Sequence, residues 1–208
     1  GVRAARRARR VVGQAGADAA ADWRVANLHT NGRHTGEHFA AGRDQPDALS
    51  AVNHLLRDFR TDEVGAIDPA LLDLLHGLAA TVGSQRAFHV ISGYRSPATN
   101  AMLRRRSSGV ARFSQHMLGH AMDFFIPEVA LEQVRAAGLR LQRGGVGFYP
   151  TSGSPFVHLD TGSIRHWPRM NHDQLAKVFP DGRTVHVPSD GKPLKGYELA
   201  LAEIEKRG

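Results

Sequence analysis

Three side chains in this 208-residue sequence have the types and spacing of a metal centre. His116 and Asp123 lie in the stretch Ser-Gln-His-Met-Leu-Gly-His-Ala-Met-Asp, and His158 follows in Phe-Val-His-Leu-Asp-Thr-Gly. Two imidazoles and a carboxylate form the protein half of a catalytic zinc site, with a fourth position left for water. His116 and Asp123 are seven residues apart, too far for the i, i+4 pairing of a helical His-Glu-x-x-His motif. On one straight strand an odd separation would point them to opposite faces. The segment between them must therefore turn, and Gly119 suits that turn. The spacing predicts a loop carrying His116 that leads into a strand carrying Asp123. The competing reading is that these are unrelated surface residues in a chain with twelve histidines.

The elements that must position these groups can be read from hydrophobic period and turn chemistry. Asn31-Gly32 marks a hairpin within residues 21–39. Leu49, Val52, Leu55, Leu56 and Phe59 repeat with helical spacing after a cap at Asp47, which predicts a helix over 47–60. A second helix, 68–82, has Asp68 as cap, Pro69 at its first position and a stripe of Leu71, Leu72, Leu75 and Leu78. Residues 88–92 form a short apolar strand that empties into Gly93-Tyr94-Arg95, a turn suited to presenting Arg95 as a binding residue. A short helix is expected over 98–106, a strand over 122–126, and a helix over 130–137 ending at Gly138. Residues 144–149 and 156–160 should pair through the turn at 151–153. The last thirty residues are richer in Pro, Gly and Lys and carry less pattern.

Composition narrows the classes. Hydrophobic residues at 41% and charged residues at 23% describe an ordinary globular protein. No apolar run is long enough to span a membrane. The absence of cysteine excludes disulfides, thiolate nucleophiles and cysteine-based zinc fingers, so any metal site must use His and carboxylate. The net charge of +7 is partly local, with Arg3, Arg6, Arg7, Arg9 and Arg10 in a segment expected to be a disordered basic leader or export-signal remnant over 1–21. No nucleic-acid motif accompanies that charge, and no nucleic-acid partner is expected. A serine-hydrolase reading fails because there is no Gly-x-Ser-x-Gly elbow.

The motifs Ser92-Gly93-Tyr94-Arg95-Ser96, Ser114-x-His116-x-x-Gly119-x-Ala121-x-Asp123 and Phe156-Val157-His158-Leu159-Asp160-Thr161-Gly162 resemble the zinc peptidases of the D-alanyl-D-alanine carboxypeptidase type, the M15 group. Within it the likeness is to the DUF882, murein endopeptidase K-like branch. It extends over roughly residues 23–169, through Asn27-Leu28-His29-Thr30, Leu55 to Thr61, Ile67-Asp68-Pro69, Gly144 to Gly147 and Arg165-His166-Trp167. The resemblance implies an α+β fold, a small mostly antiparallel sheet flanked by helices as in Hedgehog and DD-peptidase domains. It also implies hydrolysis of stem peptides or cross-links of bacterial peptidoglycan. Carried over by position, His116, Asp123 and His158 are zinc ligands and Arg95 faces substrate. Zinc would lower the pKa of its water toward about 7 and polarise the scissile carbonyl. Arg95 would stabilise the oxyanion or bind a peptide carboxylate; a structural salt bridge is the alternative.

The chain departs from the family's better-known pattern at the general base. Relatives place a Glu three residues before the last histidine ligand or a His two before it. Here those positions are Pro155 and Phe156, and neither moves a proton. Asp160, two residues after His158, shares its strand face and is expected to act as base or to orient a ligand histidine. His120 and His166 are further proton-transfer candidates, and Tyr149 and Trp167 are candidate cleft residues. The expected organisation is a peptidase domain over 22–170 and an extension over 171–208. The expected activity is zinc-dependent peptidoglycan hydrolysis in the periplasm or elsewhere outside the membrane, with a catalytically inactive peptidoglycan-binding domain of the same fold as the alternative.

Overall fold

The computed structural model describes residues 22–207 apart from 38, 41, 42 and 45. The expected basic leader, 1–21, lies outside these residues. A seven-stranded sheet runs in the order β2-β1-β5-β6-β8-β7-β9. Its strands are β1 (Asp22–Asn27), β2 (Arg33–Glu37), β5 (Phe88–Ser92), β6 (Ala121–Phe125), β7 (Gly145–Tyr149), β8 (Phe156–Asp160) and β9 (Arg165–Trp167). A separate two-strand pair joins β3 (Phe39–Ala40) to β4 (Arg43–Asp44). Only β1–β5 and β7–β9 are parallel, so the fold is α+β with a mostly antiparallel sheet, as expected. Helices α1 (Pro46–Leu55), α2 (Pro69–Val82), α3 (Pro97–Arg106), α4 (Leu131–Leu141), α5 (His172–Val178) and α6 (Tyr197–Glu205) complete it.

One apolar cluster joins sheet and helices. Leu71, Leu72, Leu75 and Leu78 of α2 are fully buried with Val90, Met122, Phe124, Val157 and Leu159 from the strands. The stripe predicted for α2 is thus the core face, and Asp68 caps it by accepting from the Ala70 N–H at 2.9 Å. The patternless C-terminal residues join the same cluster through Leu175, Val178, Phe179 and Leu194. Among the described residues no helix is long and apolar enough to cross a membrane.

Two helix ends differ from expectation. α1 stops at Leu55 rather than continuing to residue 60. Beyond it Asp58 turns the chain, accepting from the Arg60 N–H at 2.9 Å, while its own N–H donates to the Glu63 carbonyl. A short acidic side chain that satisfies nearby backbone donors competes with helix continuation. Phe59 then leaves the helical stripe and stacks on His29 with ring centroids 3.7 Å apart. α4 runs on through Gly138 and stops at Gln142, whose φ of 46° is left-handed. Gly138 lies where a Cβ would stand 3.3 Å from Leu159, so it serves close packing rather than termination.

Candidate metal centre

Backbone pairing sets two of the three candidate ligands face to face. Asp123 on β6 is registered opposite His158 on the neighbouring β8, and Ala121 opposite Asp160. Residues two apart on a strand share a face, so His158 and Asp160 project to one side of the sheet. His116 arrives from a single 3-10 turn, Gln115–Leu118, whose Ser114 cap accepts from the His116 N–H. The turn is closed by Gly119 at φ 70°, where a Cβ would collide with the Ala66 carbonyl. Only glycine meets both constraints. The expected loop, turn and strand are present.

His116, Asp123 and His158 are all buried, and one ligand atom from each lies within 4.8 Å of the others. His116 Nε2 stands 3.2 Å and His158 Nδ1 2.8 Å from Asp123 Oδ1. The opposite ring nitrogens are held outside the group: His116 Nδ1 donates to the Gly93 carbonyl at 2.7 Å, and His158 Nε2 to Asp160 Oδ2 at 2.9 Å. In a neutral ring, a proton fixed on the remote nitrogen leaves the near one as a lone-pair donor, the arrangement a metal requires. Two nitrogens and one oxygen form a donor set suited to zinc. The residues present therefore fit the ion.

The electrostatics follow from burial and pairing. Burial pushes the His116 pKa down. Burial also works against charge on His158, but hydrogen bonds to Asp123 and Asp160 outweigh it and bring its pKa up to about 9. Burial would raise the Asp123 carboxyl; its contacts with His116 and His158 hold it well below the usual range instead. Asp160 is fully buried, and against that burial His158 and Arg165 keep it ionised. Its Oδ1 accepts from the Gly145 and Gly162 N–H groups and Arg165 Nη1, and its Oδ2 accepts from His158 and Arg165 Nη2.

Arg95 lies beside the group, its Nη2 3.9 Å from Asp123 Oδ2. Nη1 reaches Asn100 Oδ1 at 3.4 Å, while the buried Nε has no acceptor. Burial lowers its pKa, and Arg60 adds to that. Trp167 and Tyr149 form an aromatic wall: the Trp167 ring lies 5.1 Å from that of His158, and its Nε1 donates to Tyr149 Oη at 2.7 Å. Trp167 covers Gly147, where a Cβ would stand 2.7 Å from the indole. His120 and His166 do not join the ligands. His120 Nε2 is 4.0 Å from Asp68 Oδ2 at the start of α2, and His166 Nε2 accepts from the Met170 N–H. Sequence reasoning assigned no role to Arg165 or to the Gly93 carbonyl, because their partners Asp160 and His116 are found only through folding.

Comparison with known proteins bears on the same residues. The family described as Peptidoglycan L,D-endopeptidase MepK matches residues 16–167. The protein of that name from Escherichia coli K12 is 45% identical over 141 residues, covering 68% of this chain and 76% of the relative. A Haemophilus influenzae protein named as a probable peptidoglycan L,D-endopeptidase MepK is 43% identical over 142 residues, covering 68% and 75%. A Serratia marcescens L-Ala D-Glu endopeptidase, ChiX, aligns with 45% of this chain and 80% of its own at 23% identity and a TM-score of 0.33.

Proposed function

Since the chain belongs to the family described as Peptidoglycan L,D-endopeptidase MepK, we propose that it hydrolyses an L,D peptide bond of bacterial peptidoglycan. Zinc is the metal, held by His116, Asp123 and His158, and the place of action is the cell envelope outside the cytoplasmic membrane. The observation that carries this reading is the buried His–Asp–His group with its remote nitrogens already tied. Bound there, zinc supplies the Lewis acidity that polarises a peptide carbonyl.

The protein groups supply orientation and charge. Gly93 and Asp160 fix the ring planes of His116 and His158, and Arg165 holds Asp160 through a two-pronged contact. Arg95 brings an under-partnered guanidinium to the edge of the group, where it can meet an oxyanion or a substrate carboxylate. Asp160 has the second of its two expected roles in this reading. Both oxygens are spent on five donors and its proton affinity is depressed, so it orients His158 and does not accept the proton. That same engagement supports the rival, a wall-binding domain without turnover.

Zinc content and release of uncross-linked muropeptides from purified sacculi separate the two. The wild-type protein should hold one zinc and release product, and His116→Ala should lose both. Zinc without release from any sacculus would leave only the binding domain.

A further inference from the structure

A second guanidinium, Arg60, acts electrostatically on Arg95 and has no assigned task. Arg60 is exposed, and its Cζ lies 4.1 Å above the Phe59 ring, which is itself stacked on His29. No carboxylate pairs with Arg60 among the described residues. A flat cation resting on a two-ring stack is held in one direction rather than sweeping through solvent.

Asp58 ties the Arg60 backbone to the segment that carries Arg95. This carboxylate is 2% exposed; Oδ1 accepts from the Arg60 N–H at 2.9 Å and Oδ2 from the Ser96 N–H, next to Arg95, at 2.8 Å. One buried group thus clamps the two arginine-bearing segments together, and Thr61 Oγ1 to Ser96 Oγ at 3.4 Å extends the join. Burial raises the Asp58 pKa, but hydrogen bonds from Thr99, Ser96 and Arg60 outweigh it and hold it at about 2. Its lone pairs are turned to backbone N–H groups and to the Thr99 and Ser96 side chains, and neither guanidinium forms an ion pair with it. Arg60 and Arg95 are therefore like charges with donors to spare, an arrangement that an anion between them relieves.

The substrate class offers that anion at the required place. In an L,D cross-link the D-configured carbon that bears the scissile nitrogen also bears a carboxyl group that the link does not use. We propose that Arg60, together with Arg95, forms a carboxylate-binding subsite for the amine-side residue of the cleaved bond, with the Phe59–His29 stack aiming Arg60 toward it. This rests on the peptidoglycan reading above and names the feature of the substrate that is recognised.

The test uses two cross-linked muropeptides that differ only in whether this carboxyl is free or a carboxamide. The zinc-loaded wild type should prefer the free acid by about tenfold to a hundredfold in kcat/KM, the range of a charge-assisted hydrogen bond. In Arg60→Ala the preference should fall severalfold, leaving what Arg95 alone supplies, and Arg60→Lys should restore part of it. Equal loss on both substrates would make Arg60 structural and overturn the proposal, as would a wild type that does not discriminate. Cleavage of neither substrate would instead sink the hydrolase reading. Equilibrium binding of the same peptides to metal-free protein then decides the subsite alone: a free-acid preference that Arg60→Ala reduces severalfold supports it, and no preference, or one that Arg60→Ala leaves unchanged, overturns it.

Discussion

His158 is gripped at both ring nitrogens, by Asp123 on the side of the metal group and by Asp160 on the other. The second grip sets ring angle and tautomer, and its removal should weaken metal binding without abolishing it. Asp160→Asn is expected to lower zinc affinity by about tenfold to a hundredfold, read by competition with a chromogenic chelator. Unchanged affinity would return Asp160 to the list of proton acceptors. At this scale the sequence was informative where chemistry is carried by residue type. His116, Asp123 and His158 stood out because imidazole and carboxylate beside glycine and apolar residues are few in kind. The partners of Asp58 were not legible, since Ser96 lies 38 residues away and the contact is to its backbone.

Elements were legible where one periodic signal dominated. α2 kept its predicted stripe, cap and first-turn proline because nothing local competes with them. α1 was overextended because the apolar spacing continues to Phe59 while Asp58 redirects the backbone. The C-terminal residues were opaque for another reason. Their anchors, Leu175 and Leu194, are isolated apolar residues whose burial depends on a surface built elsewhere.

That docking includes a pair of histidines with a pH consequence. His186, between α5 and α6, is 1% exposed with neither ring nitrogen in a hydrogen bond of normal geometry, and its ring lies 5.0 Å from that of His166 on β9. Burial and the neighbouring His166 pull His186 down to about 4, against the Leu139 backbone; burial, Arg135 and Arg169 do the same to His166. Above the unfolded value of about 6.5 both are neutral in either state and contribute nothing. As pH falls from there toward 4, the unfolded chain takes up protons that the folded chain refuses, so stability falls. The loss should be on the order of a few kcal/mol. It is read as a drop in Tm between pH 7.5 and 5 that His186→Phe reduces by about half; an unchanged pH slope in that variant would count against it.

Across the whole molecule, charge and site are aligned. Residues 74–122 contain no acidic residue and six arginines, and this stretch carries both Arg95 and His116. The stretch that brings in the candidate ligand His116 is therefore also strongly basic, and positive charge there would favour encounter with an anionic substrate.

The register of β6 against β8 has a consequence for how the protein matures. Asp123 and His158 already face one another across hydrogen-bonded strands, so an ion would join partners that the sheet has brought together. Only the turn carrying His116 lies outside that ladder. A chelator should therefore accelerate amide exchange at residues 115–119 and leave β6 and β8 protected; global unfolding on chelation would contradict this. In small zinc fingers, assembly and loading are a single event. Here the strand register predicts the opposite order, a sheet that is complete before any ion arrives and a turn that closes over the ion afterwards.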